Sequence, residues 1–159
     1  MQAFEGRTAV VTGAASGVDP TANGATVQVY AASGDGDAVC LALPRDGWTA
    51  SGDPTRPRYR YRDPQALHGP CSTASLRPAL LRVTCAARRS PIAYSLDEPS
   101  QGAVAVRVAS GATTWCMVFG GRVRRDSGTD PPNPGGHGRF SAVDAPAPAA
   151  CPPEPAACP

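Results

Sequence analysis

The sequence predicts an all-β protein, an antiparallel β-sandwich or barrel-like domain of about seven to nine short strands. The chain of 159 residues contains 18 prolines and 17 glycines, which interrupt regular elements and favour many turns. Several short segments alternate apolar and polar residues, which is the period of a half-buried strand. The sequence also lacks the apolar spacing of an amphipathic helix. A length near about 150 residues predicts one main domain.

Composition divides the chain into three parts. Residues 1–17 hold an apolar run typical of a buried parallel strand, followed by a glycine-rich loop. Residues 18–144 form the predicted β domain, which opens with a turn over 18–24. Residues 145–159 are a Pro/Ala-rich tail with no pattern that buries a face, so this tail is predicted to be disordered. Its string Pro-Ala-Ala-Cys-Pro occurs twice, which is too short for a structural repeat.

The predicted strands follow from the alternation of apolar and polar residues. They cover 25–30, 38–43, 58–62, 79–85, 92–96, 102–108, 113–119 and 139–143. The first two flank a turn over 33–37 and are predicted to pair as a hairpin. In the seventh segment, Trp115 and Met117 face one side of the strand and Cys116 faces the other. Residues 126–138, which are rich in proline and glycine, are predicted to form a loop.

One predicted strand alternates arginine with tyrosine. Tyr59 and Tyr61 should face one side of the sheet, and the arginines at 58, 60 and 62 the other. Together with Arg56, this row suggests a site for a polyanion. The tyrosines point away from it, however, so base stacking and phosphate contact would not share a surface. The row is therefore interpreted as a solvated edge strand that its charges protect from aggregation.

The six cysteines favour a disulfide framework. Zinc is the alternative, but the sequence has no Cys-x-x-Cys pair and only two histidines, so no metal site is predicted. Cys71 and Cys85 flank a hairpin-sized segment, and closing a loop of about 15 residues contributes roughly 3 kcal/mol. Six cysteines allow 15 pairings. The candidate pairs are Cys71 with Cys85, Cys116 with Cys151 to tie the tail to the sheet, and Cys40 with Cys158 as the remaining two.

Charge and hydropathy restrict the location and the partners. A net charge of only +2 argues against a nucleic-acid partner. The sequence has no apolar run of about 20 residues, so no membrane span is expected. The cysteines favour an oxidising compartment, either extracellular or in the cell envelope. Residues 1–17 lack the basic and apolar regions of a secretory signal, so they predict no signal peptide.

The first 17 residues end in Thr-Gly-Ala-Ala-Ser-Gly after a short apolar strand. This opening resembles that of short-chain dehydrogenases, where the glycines let the backbone approach the pyrophosphate of a nicotinamide cofactor. The resemblance implies an NAD(P) contact at Thr12, Gly13, Ser16 and Gly17.

Two departures from the family pattern argue against a working dehydrogenase. Asp19 stands where the family has its last glycine, and a carboxylate there would face the phosphates; Pro20 follows it. All 15 cationic residues are arginines, so the Tyr-x-x-x-Lys pair of the family cannot exist. We therefore expect no cofactor and interpret residues 1–17 as a dehydrogenase-like fragment. A truncated, inactive dehydrogenase-derived protein is kept as an alternative.

Short strings spread over residues 19–152 carry a second resemblance. They are 19–21, 24–27, 43–44, 47–48, 69–71, 96–102, 115–116, 119–121 and 145–152. In these strings the chain resembles a cysteine-containing β module of exported proteins from GC-rich bacteria, a module with no assigned activity. The resemblance implies an exported β domain.

The sequence contains no recognisable catalytic set. It has no Gly-x-Ser-x-Gly motif, and the two candidate bases, His68 and His137, lie in predicted loops. The carboxylates at 97–98 are adjacent and would point apart on a strand. Those at 35 and 37 lack the further oxygen ligands of a calcium loop.

These observations favour a non-catalytic exported β module with a structural, adhesive or binding role, whose partner is a cell-envelope or glycan surface. A carbohydrate-binding module that stacks sugars on Trp48 or Trp115 is a further alternative. A single tryptophan on a strand, however, more often lies in a core.

Overall fold

The fold is all-β, as predicted. A computed structural model describes residues 18–33, 37–77, 80–86, 90–94, 100–127, 139–143, 148–156 and 158. Within these ranges the chain forms a one-turn helix, a 3₁₀ turn at Arg45–Gly47 and ten strands. Their bounds are α1 (Pro20–Asn23), β1 (Ala25–Ala31), β2 (Ala38–Leu43), β3 (Trp48–Ser51), β4 (Arg58–Arg62), β5 (Cys71–Arg77), β6 (Leu80–Cys85), β7 (Val104–Ser110), β8 (Thr113–Phe119), β9 (Arg122–Ser127) and β10 (Arg139–Val143).

The strands form two four-stranded antiparallel sheets and a separate hairpin. The first sheet has the order β2-β1-β7-β8, and the second has the order β3-β4-β5-β6. Among the described strands, β9 and β10 pair only with each other. Among the described residues both four-stranded sheets stay open, so the sandwich form of the prediction applies rather than a closed barrel.

One hydrophobic core lies between the two sheets. The first sheet contributes side chains that include Val27, Leu41, Leu43, Val106, Val108 and Met117, and the second contributes Trp48, Tyr61, Ala74, Leu76 and Val83. The rings of Trp48 and Tyr61 pack with their centroids 5.5 Å apart, and the indole N–H donates to the carbonyl of Leu43 at 3.0 Å. Burying these apolar faces against each other supplies the main force that holds the sheets together.

Local patterns predicted some strands better than others. The predicted bounds 38–43, 58–62, 113–119 and 139–143 are those of β2, β4, β8 and β10. Three strands were not predicted, β3, β5 and β9, because they are short or made mostly of small and polar residues. The predicted strand at 92–96 is wrong where it can be compared: residues 92–94 are not in a strand, and 95–96 lie outside the described residues.

The position of β4 corrects a second expectation. Its alternation is as predicted, with Tyr61 buried and the arginines exposed. It is not an edge strand, however, because it is hydrogen-bonded to β3 on one side and to β5 on the other. Protection of a sheet edge therefore does not explain its arginines.

None of the helices in the described part of the chain is long and apolar enough to cross a membrane.

Candidate functional site

The outward side of the second sheet is rich in arginine. Its arginines are Arg58, Arg60 and Arg62 from β4, Arg77 from β5 and Arg82 from β6. All of them are exposed. Hydroxyl side chains occupy the positions between them, at Thr49, Ser51, Thr73, Ser75 and Thr84. We call these arginines and hydroxyl residues together the arginine face.

Strand register sets the arrangement of this face. Thr49, Arg60, Ser75 and Arg82 form one row across the four strands. Neighbouring strands lie about 4.8 Å apart, so the backbones at Arg60 and Arg82 are separated by roughly 10 Å. Along β4, alternate residues are spaced by about 6.7 Å, so its three arginines span roughly 13 Å. The cationic side chains are therefore spread over the outward surface of the sheet.

Negative charge is excluded from the strands of this sheet. The sequences of β3, β4, β5 and β6 contain no aspartate or glutamate. Two carboxylates in the adjoining loops accept hydrogen bonds from those same loops: Asp53 from the backbone N–H of Thr55 at 2.7 Å, and Asp63 from that of His68 at 2.8 Å. A surface with interspersed positive and negative charges would have aspartate or glutamate side chains among the arginines. Positive charge is therefore concentrated on this face.

The hydroxyl groups of β3 are held against β4. Thr49 Oγ1 donates to the carbonyl of Arg60 at 3.3 Å, and Ser51 Oγ donates to that of Arg58 at 3.4 Å. A hydroxyl that donates one hydrogen bond keeps its oxygen lone pairs as acceptors. The face therefore combines charged donors with oriented acceptors.

The inward side of β4 fixes its position in the sheet. Tyr61 is fully buried, and its ring lies close above the 3₁₀ turn that precedes β3. A Cβ atom on Gly47 would come within 2.2 Å of this ring, so only glycine fits there without displacing Tyr61. Burial, followed by the nearby charge of Asp63, raises the pKa of Tyr61. The phenol therefore stays neutral near neutral pH and serves as packing.

The outward side of the first sheet has a different character, because the C-terminal tail crosses it. One row of this sheet runs Cys40, Gln28, Arg107 and Cys116 across β2, β1, β7 and β8. Each member of the row contacts a residue of the tail. The contacts are Cys116 with Cys151, Arg107 with Glu154, Gln28 with Ala156, and Cys40 with Cys158. We call residues 148–158 the strap and this row the covered row.

The order of these contacts shows the path of the strap. Moving along the tail from Cys151 to Cys158, the contacts move across the sheet from β8 to β2. Three strand spacings amount to roughly 14 Å, which seven residues of extended chain span with slack. The described part of the strap has no helix or strand, but it is held by two disulfides, an ion pair and side-chain hydrogen bonds. The described residues of this tail, which was predicted to be disordered, thus have no regular backbone structure and are anchored at these contacts.

The strap buries polar side chains of β1. Gln28 is 2% exposed and Tyr30 is fully buried. Gln28 Nε2 donates to the carbonyl of Ala156 at 2.6 Å, and the Tyr30 hydroxyl donates to that of Pro152 at 2.9 Å. Burial raises the pKa of Tyr30. The positive charge of Arg107 lowers this pKa and the negative charge of Glu154 raises it, but both effects are smaller than that of burial. Alternation alone predicted that β1 would be half-buried, whereas it is covered on both sides.

The structure contains three disulfides, and they use all six cysteines. They join Cys40 to Cys158, Cys71 to Cys85, and Cys116 to Cys151. These are the candidate pairs put forward from the sequence. Cys71 and Cys85 lie on the paired strands β5 and β6 and point into the core, whereas the other two bonds fasten the strap. The disulfides are compatible with an oxidising, extracellular environment.

Several other sequence-predicted candidates do not assemble into a site. Trp48 is buried in the core, and Trp115 is partly buried and packs against it, so the two rings do not form one exposed platform. His68 Nδ1 lies 3.6 Å from Asp63 Oδ2, in the loop after β4. Among the described residues, no group of three or more His, Cys, Asp or Glu is placed to hold a metal ion.

Other candidates lie outside the described residues. They are Thr12, Gly13, Ser16 and Gly17 of the dehydrogenase-like loop, His137, the carboxylates at 97–98 and Asp35. The nicotinamide contact therefore stays a prediction.

A further concave feature lies at the end of the first sheet nearest α1. This open depression of about 300 Å³ is lined mostly by small residues, among them Gly24, Ala25 and Ala109. Its buried hydroxyl, on Ser110, donates to the carbonyl of Gly24 at 2.7 Å. Its guanidinium, on Arg45, pairs with Asp46 at 3.4 Å. Its polar groups are thus already engaged within the protein.

Some residues of both faces were missed from the sequence. Arg77 lies on β5, a strand that was not predicted, and Arg82 lies on β6, which is connected to β4 only through β5, so local alternation did not place them beside β4. Glu154 stands alone in a Pro/Ala segment. A usable signal for the strap was the doubled Pro-Ala-Ala-Cys-Pro string, since it puts two cysteines seven residues apart, one for each edge strand of the first sheet.

Comparisons with known protein families, with curated proteins and with solved structures give no match for this chain.

Proposed function

We propose that this protein is a non-catalytic, exported binding module that attaches to an anionic surface of the cell envelope through the arginine face. The observation that carries the proposal is the segregation of charge. The whole chain has a net charge of only +2, yet the four strands of the second sheet carry arginines and no carboxylate. A concentrated positive field attracts a polyanion in a way that an interspersed surface does not.

Export is supported by the role of the disulfides. Two of the three bonds fasten the strap, and a thiol-reducing compartment would open them. The covered row would then lose the covalent part of its cover. A protein that depends on these bonds suits the outside of the cell.

A non-catalytic role is supported by the chemistry of the arginine face. Guanidinium and aliphatic hydroxyl groups do not change protonation near neutral pH, so they offer no general acid or base. Arginine instead forms bidentate hydrogen bonds with carboxylate, sulfate and phosphate groups. The face is therefore suited to holding an anion.

Co-sedimentation with isolated bacterial cell-wall fragments tests this proposal. We expect the oxidised protein to pellet with the fragments at low ionic strength, and salt to release it because these contacts are exposed. The variant R58S/R60S/R62S, called the face variant, should stay in the supernatant.

A control variant separates the face from net charge alone. R45S/R124S/R125S removes the same number of exposed arginines away from the arginine face. It should sediment like the unchanged protein. Equal loss in both variants, or no sedimentation of the unchanged protein, would contradict the proposal.

A further inference from the structure

We infer that the ligand of the arginine face is an acidic polysaccharide, bound in an extended form along β4. This inference rests on the proposed function and adds the chemical class of the partner. The recognition would come from guanidinium groups that hold the anionic substituents and from hydroxyl groups that contact the sugar hydroxyls.

The spacing of charges favours a polymer over a small anion. The arginines of β4 are about 6.7 Å apart along the strand, and the next arginine in the row, Arg82, lies two strands away. One carboxylate or sulfate group can contact only one or two neighbouring guanidinium groups at a time and leaves the rest of the face unoccupied. A chain with regularly repeated anionic groups contacts several guanidinium groups together, and the contributions of the separate contacts combine.

The hydroxyl groups favour a sugar polymer. Thr49, Ser75, Thr73 and Thr84 lie in the same cross-strand rows as Arg60, Arg62 and Arg82. Hydroxyl oxygens both donate and accept, which matches the hydroxyl groups of a saccharide. An acidic polypeptide has no matching hydroxyl on each repeat unit. The alternation of charged and hydroxyl groups on the face therefore corresponds to an acidic sugar chain.

The buried aromatic rings argue against other polymers. Binding of single-stranded nucleic acid relies on aromatic side chains on which the bases stack. The aromatic residues of this sheet, Trp48, Tyr59 and Tyr61, lie on its core side. For the same reason the face offers no ring for stacking on a neutral sugar. Charge and hydroxyl contacts remain as its means of recognition.

A lipid surface is also a poorer match. Stable binding at a membrane interface needs apolar side chains that enter the acyl boundary, in addition to positive charge. In the described part of the chain the large exposed hydrophobic residues are Leu67 and Val123, and neither belongs to the arginine face. The arginine face, whose apolar neighbour Leu80 is half-buried, fits a hydrated polymer better.

Calorimetric titration of the full oxidised chain with defined polymers tests the inference. The probes are polygalacturonate and dextran sulfate, with unsulfated dextran as the neutral match, and polyglutamate, single-stranded DNA and anionic phospholipid vesicles as competing classes. We expect both acidic polysaccharides to bind, dextran to give no heat, and the competing probes to bind at least about tenfold more weakly.

The variants locate the contact. The face variant R58S/R60S/R62S should weaken binding of the acidic polysaccharides by about tenfold or more, since each exposed ion pair contributes little but three are lost. R45S/R124S/R125S should bind within about twofold of the unchanged protein. Because a variant can fail through misfolding, the single variants Arg60→Ser and Arg60→Lys are added. We expect Arg60→Lys to recover part of the binding that Arg60→Ser loses, since it restores charge without the planar fork.

The outcomes distinguish the two proposals. If polyglutamate, DNA or vesicles bind as tightly as the polysaccharides and the face variant weakens all of them, the polysaccharide class is overturned and the anionic binding face stands. If no polymer binds, or if the face and control variants lose binding equally, both proposals fail.

Discussion

The outward sides of the two sheets in the sandwich differ. The covered row of the first sheet carries a strap fixed by two disulfides and an ion pair between Arg107 and Glu154. The arginines of the arginine face in the second sheet are exposed, and the four strands of that sheet contain no aspartate or glutamate. Both sheets have four antiparallel strands and share one core.

This difference shows how a small sandwich can separate stability from binding. A small domain buries a limited fraction of its surface, and covering an additional sheet face with a cross-linked strap increases it. Among the described residues the arginine face carries no such strap, and this is the face that we propose for binding. Changes to the strap should therefore affect unfolding, and changes to the arginine face should affect binding.

The largest expected effect follows from removing the bond at the end of the strap. In the chain-entropy model, the double variant C40S/C158S loses up to about 5 kcal/mol of unfolding free energy, because this bond closes the longest loop. The pair C71S/C85S, which closes a short loop within the second sheet, should lose about 3 kcal/mol. Urea unfolding of the oxidised proteins gives both values.

The same two variants are also compared for polymer binding in native buffer. C40S/C158S should keep the affinity of the arginine face, because the two faces lie on opposite sides of the core. A loss of affinity in this variant would show that strap and face are coupled. If C40S/C158S loses less unfolding free energy than C71S/C85S, the disulfide at the end of the strap contributes less to stability than the chain-entropy model predicts.

The next largest effect comes from the packing beneath the arginine face. Gly47→Ala places a methyl group against the fully buried ring of Tyr61, and overpacking of this kind costs about 1–3 kcal/mol. Gly121→Ala is the matched control, because nothing lies within 4 Å of its new Cβ atom. Thermal unfolding of both variants measures the difference. Equal melting temperatures would mean that Tyr61 can move, and that the second sheet is less rigid on its inward side than its packing indicates.

A smaller effect is expected from the ion pair of the strap. Glu154→Gln removes the charge that faces Arg107, and both side chains are about 30% exposed. Solvent screens a pair at this exposure, so the expected loss is about 1 kcal/mol or less. Glu154→Gln should also make stability less dependent on salt, which urea unfolding at two ionic strengths checks. An unchanged salt dependence would mean that the disulfides and the hydrogen bonds to Ala156 and Pro152 hold the strap without help from the ion pair.

The sequence predicted the sandwich well because its strands show their alternation locally. In β8, for example, Met117 faces the core and Cys116 faces the strap, as the spacing indicated. Side-chain period two is a property of neighbouring residues and needs no knowledge of the fold. Strand β5 could not be found in this way, because its outward positions are small hydroxyl residues and its apolar alternation is short.

The covered row was harder to predict, because it depends on contacts between distant parts of the chain. The burial of Tyr30 comes from the carbonyl of Pro152, and the bond of Cys40 joins it to Cys158. No local period carries that information. The arginines of β4 were recognised from the sequence, but they were interpreted as protection for an edge strand. The structure places β3 and β5 on either side of β4, so that interpretation is wrong. An edge strand would need protection, whereas an internal strand does not.

The smallest expected effect concerns the β9–β10 hairpin, which is fastened by a carboxylate instead of disulfides. Asp126 accepts hydrogen bonds from Ser100 Oγ at 2.6 Å and from the backbone N–H groups of Gln101 and Gly102, each at 2.8 Å. Burial alone would raise the pKa of Asp126, but these three hydrogen bonds together lower it from 3.8. The contribution of Asp126 to stability is therefore fully present above pH 3.8 and is lost as the pH falls through the lower folded value.

An NMR titration tests the direction of this pKa shift directly. The amide protons of Gln101 and Gly102 should shift with a midpoint below 3.8, and in Asp126→Asn that titration should disappear. The loss of stability in this variant at neutral pH should be below about 1 kcal/mol, because the site is partly exposed. Over the same acid range the strap should hold, since disulfides do not titrate. A midpoint above 3.8 would mean that burial outweighs the hydrogen bonds, and the hairpin would then be released earlier on acidification.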